Sequence, residues 1–201
     1  MDERSIRQVA EVVSHGGLVA YPTDTVYGLG CDPFNSAAVG KLVKAKRRVK
    51  GGLPVLVDSS QAAKKLGQFS PVAIQLANDF WPGRLTLVVP AALEFPPDVL
   101  SGGSVGLRVP GRADTLGLIR ACGSSLVGTS ANISGMSSPV TAEEVLASLG
   151  ADIDVVLDGG PCSSDKESTV VRVTSHGCLI LRNGAISQES ISKSCPIVKP
   201  E

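Results

Sequence analysis

Five short apolar runs fix what this chain can fold into: "LVAYP" (18–22), "LPVLVD" (53–58), "LTLVVP" (85–90), "VGLRVP" (105–110) and "SLVGTSA" (125–131). Each stops at proline, glycine or a cluster of small polar residues. Apolar stretches of this length, rich in valine and bounded by breakers, read as strands rather than helices. Three more, "DVVLDGG", "STVVRV" and "CLILRNG", close the chain in the same manner.

Helical patterns lie between them. Ile6, Val9, Ala10 and Val13 recur at helical spacing until Gly16-Gly17 stops them. Asn35 or Ser36 caps a second helix running to about Arg47, with Val39, Leu42 and Val43 on its apolar stripe. "SPVAIQLANDFWPG" opens on a serine cap with proline in the first turn and ends at Pro82-Gly83. Thr115 to Cys122 reads as a short helix, and Thr141 with Glu144 forms a capping box for a helix to Leu149. Strands and helices mixed in this way predict an α/β (α+β) fold, layered around a twisted mixed sheet with flanking helices. At 201 residues the chain is one domain, 1–201, with a core over about 5–185 and a polar tail over 187–201.

Nineteen basic and nineteen acidic residues cancel, so no overall field draws the chain to nucleic acid or to a membrane. No apolar run is long enough to cross a bilayer. The charged start "MDERSIRQVAEVV" is unlike a secretory signal. The expected location is cytoplasmic. Five cysteines, odd in number and without CxxC spacing, argue against a disulfide framework and a zinc knuckle. His176 and Cys178 lack two further ligands nearby, so no metal site is assigned. With two histidines, no GxSxG and no GxxxxGK[ST], neither a histidine triad nor a P-loop is expected.

Five places carry polar chemistry. In "YPTDTVYGLG" Pro22 ends strand pairing and Thr23, Asp24 and Thr25 crowd the next turn, either satisfying one another or facing a ligand. Gly28 and Gly30 allow close backbone approach. "KLVKAKRRVKGG" gathers Lys41, Lys44, Lys46, Arg47, Arg48 and Lys50. Residues 41, 44 and 48 are expected on one helical face, which is either a solvated surface or a phosphate-facing one. Arg108 interrupts an apolar strand, and a guanidinium there needs an anion, from this chain or from a substrate. "VGTSANISG" supplies Thr129, Ser130, Asn132 and Ser134 after a strand. Ser168, Thr169 and Arg182 sit on the last two strands. Separated cations, many hydroxyls and no evident general base suit binding of a triphosphate beside a small polar acid, with rate gained by positioning and charge stabilisation.

In this order and approximate spacing, "YPTDTVYGLG", the Lys-x-Arg of residues 46–48, "VGLRVP", "SANISG" and "STVV" resemble the YrdC family of threonylcarbamoyl-AMP synthases over roughly residues 5–185. The resemblance implies a YrdC-like fold with a concave basic face. It also implies a nucleotidyltransferase that condenses L-threonine, bicarbonate and ATP into threonylcarbamoyl-AMP and pyrophosphate. Mg²⁺ would accompany the ATP, and a tRNA threonylcarbamoyl-transferase complex would consume the product. Contact with tRNA or double-stranded RNA is a further expectation. By matching motifs, Thr25, Arg108, Gly128 and Ser168 fall to threonine; Lys46, Arg48, Ser104, Ser130, Ser138 and Arg182 to ATP; and Lys46, Arg48, Ser130 and Asn132 to catalysis. Three departures stand out. Val49 replaces a proline after Lys-x-Arg, Leu53-Pro54 inverts the usual Pro-Leu, and Arg182-Asn183-Gly184 replaces Arg-Pro-Gly. The match is to the single-domain form, without the extra C-terminal domain of longer members. Two alternatives use the same scaffold: a non-catalytic RNA-binding module and a divergent carbamoyl-transfer relative. Only 3% of residues are aromatic, which leaves little on which to stack bases.

Overall fold

The computed structural model describes residues 2–48, 51–164 and 166–198. Helix α1 (Glu3–Ser14) starts at Asp2, whose carboxylate accepts the Ser5 amide at 2.9 Å. Strands β1 (Val19–Tyr21) and β2 (Gly28–Gly30) follow, then α2 (Ser36–Ala45), capped by Asn35, and β3 (Val55–Val57). Helices α3 (Ser60–Leu66) and α4 (Pro71–Phe80) lead to β4 (Leu85–Pro90), β5 (Leu100–Ser101) and β6 (Ser104–Arg108). After α5 (Ala113–Ala121) come β7 (Ser125–Val127), β8 (Thr129–Ser130) and α6 (Ala142–Leu149). The remaining elements are β9 (Val155–Val156), β10 (Thr169–Thr174), β11 (Gly177–Arg182) and α7 (Gln188–Ser192).

These strands form two sheets. The smaller runs β8-β2-β1-β9 and the larger β11-β10-β4-β6-β3-β7, with β5 paired to β6. Both are mixed: β1 lies parallel to β9, β10 to β4 and β3 to β6, and the other pairs are antiparallel. The main core gathers Leu29, Leu42, Val55, Leu76, Leu85 and Leu107, all fully buried. A second cluster packs Val9 and Val13 of α1 and Leu118 and Ile119 of α5 against Tyr21, Leu56 and Leu126. Tyr21 ties the sheets together, its hydroxyl donating to the Val127 carbonyl at 2.7 Å.

Several sequence expectations shift. The helix expected to reach Arg47 stops at Ala45, because Arg47 adopts φ +50° and turns the chain. Arg48 therefore leaves the helical face that Lys41 and Lys44 share, and Lys41 donates to the Gly16 carbonyl at 3.1 Å. Val49 and Lys50 lie outside the described residues. Gly28 and Gly30 belong to a strand rather than an open turn. An added Cβ at Gly28 would come within 3.0 Å of the Tyr21 ring, and one at Gly30 within 2.4 Å of the Val127 carbonyl, so the close approach they permit is largely to the protein itself. The tail folds back as α7, with Ile191 buried and Cys195 set against Cys178 in the core; all five cysteines are free.

Candidate active site

A cavity of about 390 Å³ opens where the two sheets meet. The small sheet contributes Gly28 and Ser130; the large sheet contributes Leu56, Thr86, Ser104, Arg108, Val170 and Arg182. Of the residues expected from sequence, Thr25, Arg48, Ser104, Arg108, Gly128, Ser130, Ser168 and Arg182 line it.

One end is built around Arg108, the last residue of β6. Its Nε donates to the Gly83 carbonyl at 2.8 Å, Nη1 to Thr25 Oγ1 at 3.1 Å and Nη2 to Asp24 Oδ1 at 2.6 Å. Burial pushes the guanidinium pKa down and Asp24 opposes it, so the group stays cationic. The anion that Arg108 required is thus supplied within the chain. Among the described residues three of its five N–H groups are engaged, which leaves two for a ligand. Thr23 Oγ1 donates to the Val26 carbonyl and meets Thr25 Oγ1 at 2.8 Å. The hydroxyl-rich turn both closes on itself and presents Thr25 to the cavity.

Ser168 occupies the middle, its Oγ at 2.8 Å from Thr86 Oγ1 and accepting from Arg182 Nη2 at 3.1 Å. Arg182 also donates to the Ser168 carbonyl and pairs with Glu167, whose Oε1 accepts from Ser138 Oγ at 2.7 Å. Ser138 sits behind this carboxylate rather than in the wall. Burial works to raise the Glu167 pKa, but Arg182, the Ser138 and Ser130 hydroxyls and Lys46 outweigh it and hold it below the usual carboxylate value. At the far end Arg48 donates from Nη2 to the Gly52 carbonyl at 3.1 Å, and its buried Nε has no partner among the described residues.

Lys46 lies behind the wall, 2% exposed, with its ammonium donating to the Asn132 carbonyl at 2.8 Å and to the Ser130 carbonyl. Burial and the Arg48 charge lower its pKa to about 8. Asn132 is also behind the wall. Its Nδ2 donates to the Met136 carbonyl at 2.6 Å, and its buried Oδ1 has no partner among the described residues. Lys46, expected at ATP and in catalysis, and Asn132, expected in catalysis, therefore do not line the cavity; both shape the loop that presents Ser130. Gly128 is spatially obligatory, since an added Cβ would meet Leu56 Cγ at 2.3 Å. Its amide donates to the Pro54 carbonyl at 2.8 Å and is therefore already engaged.

Sequence reasoning passed over Glu167 and Thr86, and it read Asp24 only as a turn residue. Thr86 had one visible signal, a hydroxyl within an otherwise apolar strand. Glu167 had none, because its partners are spread over more than a hundred residues.

The family model Sua5/YciO/YrdC, described as telomere recombination, matches residues 11–184. The chain belongs to the Sua5/YciO/YrdC family. This Sua5/YciO/YrdC chain is 37% identical over 197 residues to the threonylcarbamoyl-AMP synthase of Pyrococcus abyssi, covering 96% of itself and 58% of that protein. It is 37% identical over 195 residues to the threonylcarbamoyl-AMP synthase of Bacillus subtilis, covering 94% of itself and 56% of that protein. The chain thus spans little more than half the length of these two relatives. The crystal structure of P. abyssi Sua5 complexed with L-threonine superposes with a TM-score of 0.90 at 36% identity, over 98% of this chain and 60% of that one.

Proposed function

We propose that this chain is a threonylcarbamoyl-AMP synthase, a nucleotidyltransferase joining L-threonine, bicarbonate and ATP with release of pyrophosphate. One observation carries the reading: a carboxylate-type clamp at Arg108 and Thr25 and an array of cations at Arg182 and Arg48 open onto one cavity. An amino acid held by its carboxylate at the first end directs its amine toward the second.

The two unengaged N–H groups of Arg108 take the amino-acid carboxylate, and Thr25 and Ser168 orient its polar groups. The amine adds to the bicarbonate carbon, losing a proton as water departs, to give a carbamate. A carbamate oxygen then attacks the α-phosphorus, and the bond to pyrophosphate breaks. Arg48 and Arg182 stabilise charge on the departing phosphates, and the Lys46 ammonium adds to the field from behind the wall. The concave wall replaces water with fixed donors, which protects both carbamate and mixed anhydride from hydrolysis. No group of three His, Cys, Asp or Glu side chains able to hold a metal exists among the described residues. Glu167 is the one lining carboxylate among them. This donor set fits a Mg²⁺ carried mainly by phosphates and water, with Glu167 as the available protein ligand, and the ion would neutralise charge on the triphosphate.

The product's mixed anhydride suits consumption by a separate tRNA threonylcarbamoyl-transferase. No helix among the described residues is long and apolar enough to cross a membrane. The deciding experiment follows pyrophosphate release from ATP and bicarbonate with and without threonine. Release that requires threonine is expected; no dependence on threonine would discard the synthase in favour of the RNA-binding module.

A further inference from the structure

Glu167 has an unusual position. It faces a cavity whose other charged lining residues, among those described, are Arg48, Arg108 and Arg182, and it consumes donors that an incoming phosphate would need. Its carboxylate accepts from Ser138 Oγ at 2.7 Å and pairs with Arg182, which itself lines the wall. The Ser130 hydroxyl and the Lys46 charge also act on it, and together these groups keep it ionised at neutral pH.

We propose that Glu167 is a specificity residue that makes the phosphate end accept a triphosphate as its divalent-metal complex and reject the bare polyanion. The proposal rests on the reading of this cavity as a nucleotide site. A bare triphosphate entering here would bring its full negative charge beside a fixed, half-buried carboxylate, where like charges repel far more than in water. It would also have to break the pairing of Arg182 with Glu167 to reach that guanidinium. A divalent cation on the phosphates reverses the sign of the encounter. Glu167 then attracts the complex, while Arg48 and Arg182 keep their hold on the phosphate oxygens.

A purely structural role is the competing account, since Glu167 links the start of β10 to the end of β11. It predicts lowered stability in a variant and no change in metal preference. Glu167→Gln separates the two, because the amide keeps the shape and still accepts from Ser138. ATP binding is measured by calorimetry without threonine, once with Mg²⁺ and once with EDTA, in both proteins. Wild type is expected to bind the Mg²⁺ complex on the order of ten-fold more tightly than bare ATP, the scale of one like-charge contact at intermediate screening. In E167Q the ratio should fall to about one or two, chiefly because bare ATP now binds better. An unchanged ratio in a folded variant overturns the role of Glu167 and leaves the nucleotide site standing. Equal affinity for both forms in wild type overturns it without any variant. If wild type binds neither form, the nucleotide reading falls, and this inference with it.

Discussion

The two ends of the cavity are built on opposite terms. Around Arg108 the arginine side chain is 6% exposed, paired to the Asp24 side chain, itself 12% exposed, and held at three points by Gly83, Thr25 and Asp24. Around Arg48 and Arg182 the cations are half-buried or more open, the 43% exposed Arg182 side chain leans on Glu167, and a buried Arg48 nitrogen has no partner among the described residues. The first end is set before any ligand arrives. The second must exchange partners to bind one. An amino acid has one shape to recognise, which suits a rigid clamp, whereas a triphosphate arrives, changes and leaves in pieces.

If that contrast is right, the largest effect comes from the rigid end. Asp24→Ala strands the buried Arg108 charge and should cost about 3–5 kcal/mol in denaturant melts, with threonine affinity falling alongside. A loss under about 1 kcal/mol would mean that the clamp is not prebuilt. Next comes Gly128→Ala, whose Cβ would sit 2.3 Å from Leu56 Cγ. The overpacking should cost about 1–3 kcal/mol, and a variant as stable as wild type would show that the wall yields. At the open end, Arg48→Ala should leave stability nearly unchanged while weakening ATP in calorimetry by about 1.5 kcal/mol, with threonine affinity unaffected. Equal weakening of both ligands would erase the distinction between the ends.

The smallest effect is a pH dependence. The Lys46 pKa is lowered from 10.5 to about 8, so the residue is cationic at pH 7 and becomes neutral as the pH rises through that value. Its attraction for phosphates is present below about pH 8 and lost above it, which should weaken ATP binding by about 0.5–1 kcal/mol between pH 7 and 9. Lys46→Met should bind more weakly at pH 7 and show no such decline; a matching decline in both proteins would assign it to another group.

What the sequence disclosed was mostly local. The serine cap of α4, the Thr141 cap of α6 and the strand-then-breaker rhythm each depend on neighbours within a few residues, and each appears in the structure. Glu144, however, reaches back to the Val140 amide rather than to that of Thr141 as a full box would. Helix α3 was missed because "SQAAKKL" offers only Ala63 and Leu66 to the core and follows a strand directly. The hydroxyl-rich turn and the intruding Arg108 were both visible as anomalies, but the carboxylate joining them was not, because Asp24 and Arg108 are 84 residues apart. Lys46 illustrates the same limit. A lysine next to other basic residues looks solvated, and only the packing of the 130–132 loop, some 85 residues away, turns its ammonium toward backbone carbonyls. Paired charges that meet through tertiary structure leave no periodic trace.

Val127 lies at the seam. Its amide donates to the Cys31 carbonyl at 2.9 Å and its carbonyl accepts the Tyr21 hydroxyl, while the Gly128 amide beside it reaches Pro54. One peptide thus rivets both plates of the molecule directly beneath the chamber they enclose. Two of the three links that set the spacing between jaw and anvil join main-chain atoms, which no side-chain replacement can remove, so the lining is free to be retuned while the frame holds.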